Sequence, residues 1–235
     1  MGDLSVSVEG SGPTLLWGHG LLSSRDAEDA SGPVRWTEVE RPGLRLVRWD
    51  ARGHGRSPQA VTPAEVHWPR LAGDALALAD ELDAGTFAIG GASMGAATAL
   101  WVAATAPERV ERLILAIPPT AWATRSRSAG LYRVVGAISG AVPSAAARSR
   151  AVVLRGAAES DLPARAVLAT ITVPTLILAW RHDPIHPAST AEALAELIPH
   201  AELVVTSRPA DTTGWAARIA AFLGRWSKAP AGQDS

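Results

Sequence analysis

Gly91-Ala92-Ser93-Met94-Gly95 follows the apolar run Thr86-Phe87-Ala88-Ile89 and precedes an alanine-rich stretch from Ala96 to Ala106. The order reads as strand, sharp turn, helix. A serine on such a turn is held in a strained backbone conformation, and small flanking residues let the neighbouring chain pass close by. Its hydroxyl then stands above the end of a sheet. The amide of Met94, in the first turn of the new helix, faces any oxyanion formed beside it.

Outward from this turn, short branched apolar runs alternate with longer Ala/Leu-periodic segments, the pattern of a mainly parallel sheet wrapped by helices. Strands are expected at Leu4–Val8, Thr14–Trp17, Leu44–Trp49, Thr86–Ile89, Arg112–Ile117, Thr175–Trp180 and Glu202–Val205. Helices are expected at Pro63–Leu82, where Leu71, Ala75, Leu78 and Leu82 repeat at three- and four-residue spacing, and at Ala188–Ile198 and Thr213–Leu223. Between Pro118 and Val173 the alternation stops. A stretch that long without strands predicts a helical lid, 119–173, set into a core of 1–118 and 174–226. Trp122, Leu131, Tyr132, Val135 and Ile138 give that lid apolar residues with which to dock, and Trp122 is placed to line a pocket. The tail 227–235 reads as disordered.

Composition narrows the function. With 235 residues, 47% of them apolar, the chain can bury the core of one α/β domain. The 22 basic and 23 acidic side chains nearly cancel, and the basic ones are scattered along the sequence. That balance predicts neither a nucleic-acid nor a membrane partner, and favours a small neutral or weakly polar molecule as substrate. The absence of cysteine removes disulfides, thiolate metal sites and a cysteine nucleophile together. The first residues carry no basic and apolar segments of a secretory signal, so a cytoplasmic location is expected. Oligomeric state does not follow from the sequence.

Four features in order resemble the α/β-hydrolase superfamily, across Thr14 to Leu223. Leu15-Leu16-Trp17-Gly18-His19-Gly20 is similar to the strand and His-Gly turn that supplies the first oxyanion-hole amide, here that of Leu21. Asp50-Ala51-Arg52-Gly53-His54-Gly55-Arg56-Ser57 resembles the Asp-x-Arg-Gly-x-Gly-x-Ser loop of the family. The serine turn follows. Trp180-Arg181-His182-Asp183-Pro184-Ile185-His186-Pro187 then resembles the loop that carries the acid, aligning Asp183. The resemblance implies an α/β-hydrolase fold, a mainly parallel central sheet flanked by helices with a small helical lid. It further implies a serine esterase or lactonase that needs neither cofactor nor metal.

One element departs from the family pattern. The catalytic histidine of the superfamily sits just after the last strand, but Ser207 to Thr213 contains none, and Asp211 falls about where the imidazole is expected. His186 is the substitute the spacing favours. It follows Asp183 by three residues across an Asp-Pro turn, so the carboxylate can accept its Nδ1 proton, and the chain order Ser, Asp, His is kept. His19, beside the oxyanion turn, is the second candidate. His54, His67, His182 and His200 read as packing, rim or surface residues. Two other readings stay open: a binding protein or pseudoenzyme on the same fold, and a cofactor-independent lyase or oxygenase that needs only one base near the oxyanion hole.

Overall fold

A computed structural model describes residues 4–39, 43–208, 211 and 214–227. Seven strands form one sheet: β1 (Val6–Glu9), β2 (Thr14–Gly18), β3 (Arg45–Trp49), β4 (Phe87–Ala92), β5 (Val110–Ala116), β6 (Thr175–Trp180) and β7 (Ala201–Thr206). Their order is β1-β3-β2-β4-β5-β6-β7, with β1 antiparallel to β3 and every other pair parallel. Strand residues alternate between two apolar layers because successive side chains leave opposite faces. Leu16, Leu113, Leu115 and Ile177 pack on one side with α2 (Trp68–Glu81), α3 (Met94–Thr105) and α7 (Ala188–Leu197). On the other side Leu15, Trp17, Ile114 and Leu178 meet α8 (Gly214–Ser227) and Trp36, whose ring stands edge-on to Trp17 at 4.9 Å.

All seven expected strands are present, with ends shifted by up to three residues. The largest shift is informative, since β4 runs on through Gly90, Gly91 and Ala92 where an end at Ile89 was expected. Glycine there reflects crowding: a Cβ on Gly91 would lie 2.5 Å from the Gly18 carbonyl oxygen, and one on Gly95 would run into that same carbonyl. The helix expected at Pro63–Leu82 is two pieces, a 3₁₀ turn at Pro63–Val66 and then α2. They are separated by His67, whose ψ of 140° is extended. Pro69 lies in the first turn of α2, where its missing N–H costs no hydrogen bond. The short helix α1 (Arg25–Ser31) was not expected; Ser24 caps it by accepting the Ala27 amide at 3.2 Å.

Between β5 and β6 lie α4 (Arg125–Gly140), α5 (Ala145–Ala158) and the single turn α6 (Arg165–Leu168), with no strand among the described residues. Helix α4 packs on α5 through small residues, for a Cβ on Gly136 would already touch Leu154 at 3.4 Å. Beyond Ser227 the tail expected from 227 lies outside the described residues.

The strand order places the site. From β2 the chain moves outward to β3 and then returns to β4 on the opposite side of β2, so a crevice opens between the carboxyl ends of β2 and β4. Crevices at such reversals are where open α/β sheets take ligands. Here the turn after β2 carries Gly20 and Leu21, and the turn after β4 carries Ser93.

Candidate active site

Ser93 has φ 52° and ψ −107°, in the left-handed range that costs a residue with a Cβ about 1–3 kcal/mol. Its neighbours hold it there. The Ser93 amide donates to the Ala116 carbonyl at 2.9 Å, and the Ser93 carbonyl accepts the Ala97 amide at 3.0 Å. The hydroxyl is thereby aimed at His186, whose Nε2 lies 2.8 Å away. On the far side of the ring, Nδ1 lies 3.0 Å from Asp183 Oδ2. One tautomer satisfies both contacts, with Nδ1–H donating to the carboxylate and Nε2 accepting from the serine.

The 181–187 loop holds this geometry through its own backbone. Asp183 Oδ1 accepts the amides of Ile185 at 2.8 Å and His186 at 2.9 Å, an Asx-type turn of the kind that Asp-Pro sequences favour. Burial works against ionising Asp183, yet the His186 ring and these amides outweigh it and hold the carboxyl below its usual range. The side chains are mostly enclosed, with Asp183 6% and His186 14% exposed.

The Gly20 turn faces the serine: a Cβ on Gly20 would sit 3.8 Å from that of Ser93. Ser23 donates its amide to the Gly20 carbonyl at 3.1 Å across Leu22, itself at φ 58°. Neither the Leu21 nor the Met94 amide meets an acceptor among the described residues. Two unpaired N–H groups beside a serine hydroxyl are the arrangement that an oxyanion hole requires.

His19 is engaged at both nitrogens. Nδ1 bonds to the Gly20 carbonyl at 2.8 Å, and Nε2 accepts the Ala51 amide at 2.9 Å. Burial lowers its pKa and keeps the ring neutral, so it ties the Gly20 turn to the Asp50–Ser57 loop. His54, 5.1 Å from it, donates from Nδ1 to the Arg52 carbonyl; burial, then proximity to His19, brings its pKa down to about 4. His67 meets Glu159 at 3.0 Å, and His182 and His200 are exposed. Asp211 is hydrogen-bonded to the Arg208 amide and guanidinium, both at 3.1 Å, and it touches neither Ser93 nor His186.

A cavity of about 350 Å³ opens over Ser93 and His186, lined largely by Leu21, Leu22, Ile117, Tyr132, Leu154 and Ile185. A larger cleft of about 790 Å³ shares Leu22 and Ser23 with it and runs between the Asp50–Ser57 loop and α5, but Ser93 and His186 line only the smaller space. Trp122 is in neither. Its amide donates to Asp161 and its Nε1 to the Pro163 carbonyl at 3.1 Å, which fixes the ring under Arg165 at the base of the insertion. The expectation that it lines the pocket is thereby corrected.

One cavity residue was missed from sequence. Glu28 on α1 lines the same space and is 3% exposed. Its Oε2 accepts the Trp17 indole N–H at 2.9 Å, while Oε1 has no hydrogen-bond partner among the described residues. Burial pushes its pKa up to about 8 against the pull of Trp17, Arg48 and the Gly20 amide, so a neutral carboxylic acid sits behind the Gly20 turn at pH 7. Ser24 as a helix cap, followed by Asp26 and Glu28 in the first turn, signals the helix that carries it but not its burial.

Residues 13–131 match the sequence model of the alpha/beta hydrolase fold family. The chain is 28% identical over 189 residues to 3-oxoadipate enol-lactonase 2 of Acinetobacter baylyi, covering 68% of this chain and 69% of the lactonase. It is 32% identical over 115 residues to an sn-1-specific diacylglycerol lipase of Xenopus laevis, covering 48% of this chain and 35% of the lipase. Among solved structures, a hydrolase from Pseudomonas aeruginosa superposes with a TM-score of 0.75 at 25% identity over 94% of both chains. An enol-lactonase from Burkholderia xenovorans superposes with a TM-score of 0.67 at 21% identity, over 95% of this chain and 94% of that one, a likeness of fold.

Proposed function

The chain belongs to the α/β-hydrolase fold family, and on that premise we propose that it is a serine hydrolase of the esterase or lactonase type acting on a small, largely apolar acyl compound. The observation that carries the reading is the unbroken series of contacts from Ser93 Oγ through the His186 ring to Asp183, at 2.8 and 3.0 Å. Ser93 Oγ attacks the substrate carbonyl carbon as His186 Nε2 takes the hydroxyl proton. Asp183 stays ionised and steadies the imidazolium. The amides of Leu21 and Met94 receive the charge that gathers on the carbonyl oxygen.

Collapse of the tetrahedral species expels the alcohol oxygen, which takes the proton from His186 and leaves an ester on Ser93. Water then attacks that ester as His186 removes its proton. The second collapse returns the proton to Ser93 Oγ and releases the carboxylic acid. A lactone substrate would stay tethered through its own ring-opened alcohol and leave as one hydroxy acid.

The cavity supports a small, apolar substrate, since about 350 Å³ holds a ligand toward the small end of the usual range and its walls are mainly aliphatic. The lactonase relative makes a cyclic ester a natural first compound to try. A binding protein on this fold has no need for a base within hydrogen-bond distance of its serine. The test is labelling by a fluorophosphonate probe alongside hydrolysis of p-nitrophenyl acetate and of simple lactones. Labelling of Ser93 and turnover, both lost in Ser93→Ala, are expected. A native protein that neither labels nor hydrolyses any of them, while folded, would leave the binding reading in place.

A further inference from the structure

Two enclosed carboxyl groups belong to the surroundings of the Ser93 cavity, and those surroundings treat them oppositely. Asp183 has three donors, the Ile185 and His186 amides and the His186 ring, which favour its ionised form. Glu28, on the α1 wall of the cavity, is 3% exposed and forms no ion pair among the described residues. Its Oε2 accepts the Trp17 indole N–H at 2.9 Å, while the buried Oε1 has no hydrogen-bond partner. An ionised Glu28 would leave a charged oxygen in the interior without a donor, which costs more than keeping the proton. Carboxyls driven apart in this way beside one reacting centre are a common means of giving them different tasks.

The charged and titratable groups around Glu28 come from four elements. Asp29, next to it on α1, opposes a charge on Glu28, and Arg48 on β3 favours one. Arg48 is nonetheless bonded elsewhere, to Asp29 and, at 3.2 Å, to Glu9. Arg25, a turn earlier on α1, is paired with Asp50, and His19 is neutral and engaged at both nitrogens. His186 and, from α4, Tyr132 line the same cavity. The neighbours of Tyr132 that the sequence leads one to expect docked, Leu131, Val135 and Ile138, are exposed instead. On the side of the reacting groups, the Gly20 amide draws on the Glu28 carboxyl. Gly20 leads directly into Leu21.

We propose that Glu28 is a positioning residue that serves catalysis only while it carries its proton. The neutral carboxyl steadies the Gly20 turn from behind, between Trp17 and the Gly20 amide, and leaves the cavity uncharged where the Leu21 and Met94 amides receive the oxyanion. Release of the proton to solvent sets a buried carboxylate against that oxyanion. An enclosed charge is little screened, so the two negative charges oppose one another strongly. No bond of the substrate is made or broken by Glu28. The inference rests on the hydrolase reading above and adds to it a fall in rate on the alkaline side. His186 has the opposite sign, because it must be unprotonated to act and contributes only a fall toward acid pH.

The experiment measures turnover of p-nitrophenyl acetate against pH, beside infrared difference spectra of the native protein and Glu28→Gln. With Glu28 titrating at about 8, turnover at pH 9 should be about tenfold below that at pH 7 and recover on return to pH 7, with circular dichroism unchanged. In Glu28→Gln, which keeps an oxygen for the Trp17 N–H, the alkaline fall should disappear. Asp29→Asn removes the opposing charge and releases Arg48, so it should move the fall to lower pH, by about 0.5 or more. The spectra should show a carboxylic acid C=O stretch at pH 7 that is absent from Glu28→Gln and gives way to carboxylate bands as pH rises. Absence of that stretch from the folded native protein at pH 7 overturns the inference whether or not the protein turns over any ester. Turnover whose alkaline fall persists in Glu28→Gln overturns it while leaving the hydrolase reading intact, and would reduce Glu28 to a structural role. A native protein that shows the stretch but neither hydrolyses an ester nor labels with fluorophosphonate defeats the hydrolase reading, and the catalytic role of Glu28 falls with it.

Discussion

Asp183 and His186 lie on one turn, and a single carboxylate fixes both the backbone of that turn and the ring it carries. Oδ1 takes the amides of Ile185 and His186, and Oδ2 takes the imidazole at 3.0 Å. The ring therefore reaches Ser93 from the end of β6, and none of the described residues of the loop after β7 is hydrogen-bonded to it. Locating both groups on one loop makes their mutual geometry local, so it does not depend on two loops keeping register.

The first expectation separates the two jobs of that carboxylate. In Asp183→Asn the remaining oxygen can still accept both amides, but the NH2 group faces Nδ1 and forces the ring into the tautomer that presents N–H to Ser93. Ester turnover should fall by about 10³-fold or more with the thermal midpoint little changed. Asp183→Ala should lose comparable activity and also stability, because two amides lose their acceptor. Full activity in Asp183→Asn would remove the tautomer argument.

His186→Gln tests the base directly. Loss of general-base assistance should reduce turnover by about 10²-fold or more without unfolding the protein. His19→Gln, measured alongside, should act through stability, because both nitrogens of His19 hold backbone groups. An active His186→Gln would transfer the role to another group.

Much of this arrangement is legible in the sequence because it is local. The turn at Ser93 is written in Gly91 and Gly95, the sheet in the alternation of branched runs, and the Asp183–His186 contact in a three-residue spacing. What escapes is long-range. Glu28 lines the cavity only because α1 is carried under the oxyanion turn, and nothing near it in sequence says that it is buried. Gly90 and Gly91 read as the end of a strand until Gly18 and Ile114 are seen pressed against them. The outward face of α4 reads as core because a periodic apolar stripe looks the same whether or not anything covers it.

Gly95→Ala probes the crossing of the Ser93 turn with β2. The added methyl would collide with the Gly18 backbone, which cannot rotate aside as a side chain could. Overpacking of this kind should cost about 2–3 kcal/mol. Because Gly18 leads directly into the His19-Gly20 turn, turnover should drop as well. Thermal unfolding and ester hydrolysis measure the two effects, and a variant equal to the native protein in both would contradict the close approach.

Asp211 stands where the resemblance places an imidazole, yet its carboxylate binds Arg208 and is partly exposed. If His186 serves Ser93, Asp211→His should leave ester turnover within about twofold and stability within roughly 0.5 kcal/mol, as for most surface changes. A large gain in rate that vanishes with Ser93→Ala would mean that the native chain lacks an effective base.

The last expectation concerns pH and the buried acid behind the oxyanion turn. Glu28 titrates at about 8 when folded against an ordinary value of 4.5. Between those values the folded state holds a proton that the unfolded state has released. The stability from this group is full below about pH 4.5 and is lost as pH rises toward 8, on the order of 3–5 kcal/mol across the window. His54 acts in the opposite sense, because its folded pKa of about 4 lies below the ordinary 6.5. Its contribution is present above 6.5 and is lost as pH falls toward 4, and His19, also lowered, adds to that loss. The two trends offset one another from about pH 4.5 to 6.5, and above that only the Glu28 decline remains. Urea unfolding between pH 6.5 and 8 should therefore show falling stability in the native protein. Glu28→Gln, which keeps an acceptor for the Trp17 indole and carries no charge, should flatten that limb and raise stability at pH 8. A decline that persists unchanged in Glu28→Gln would show that the carboxyl is already ionised in the folded protein.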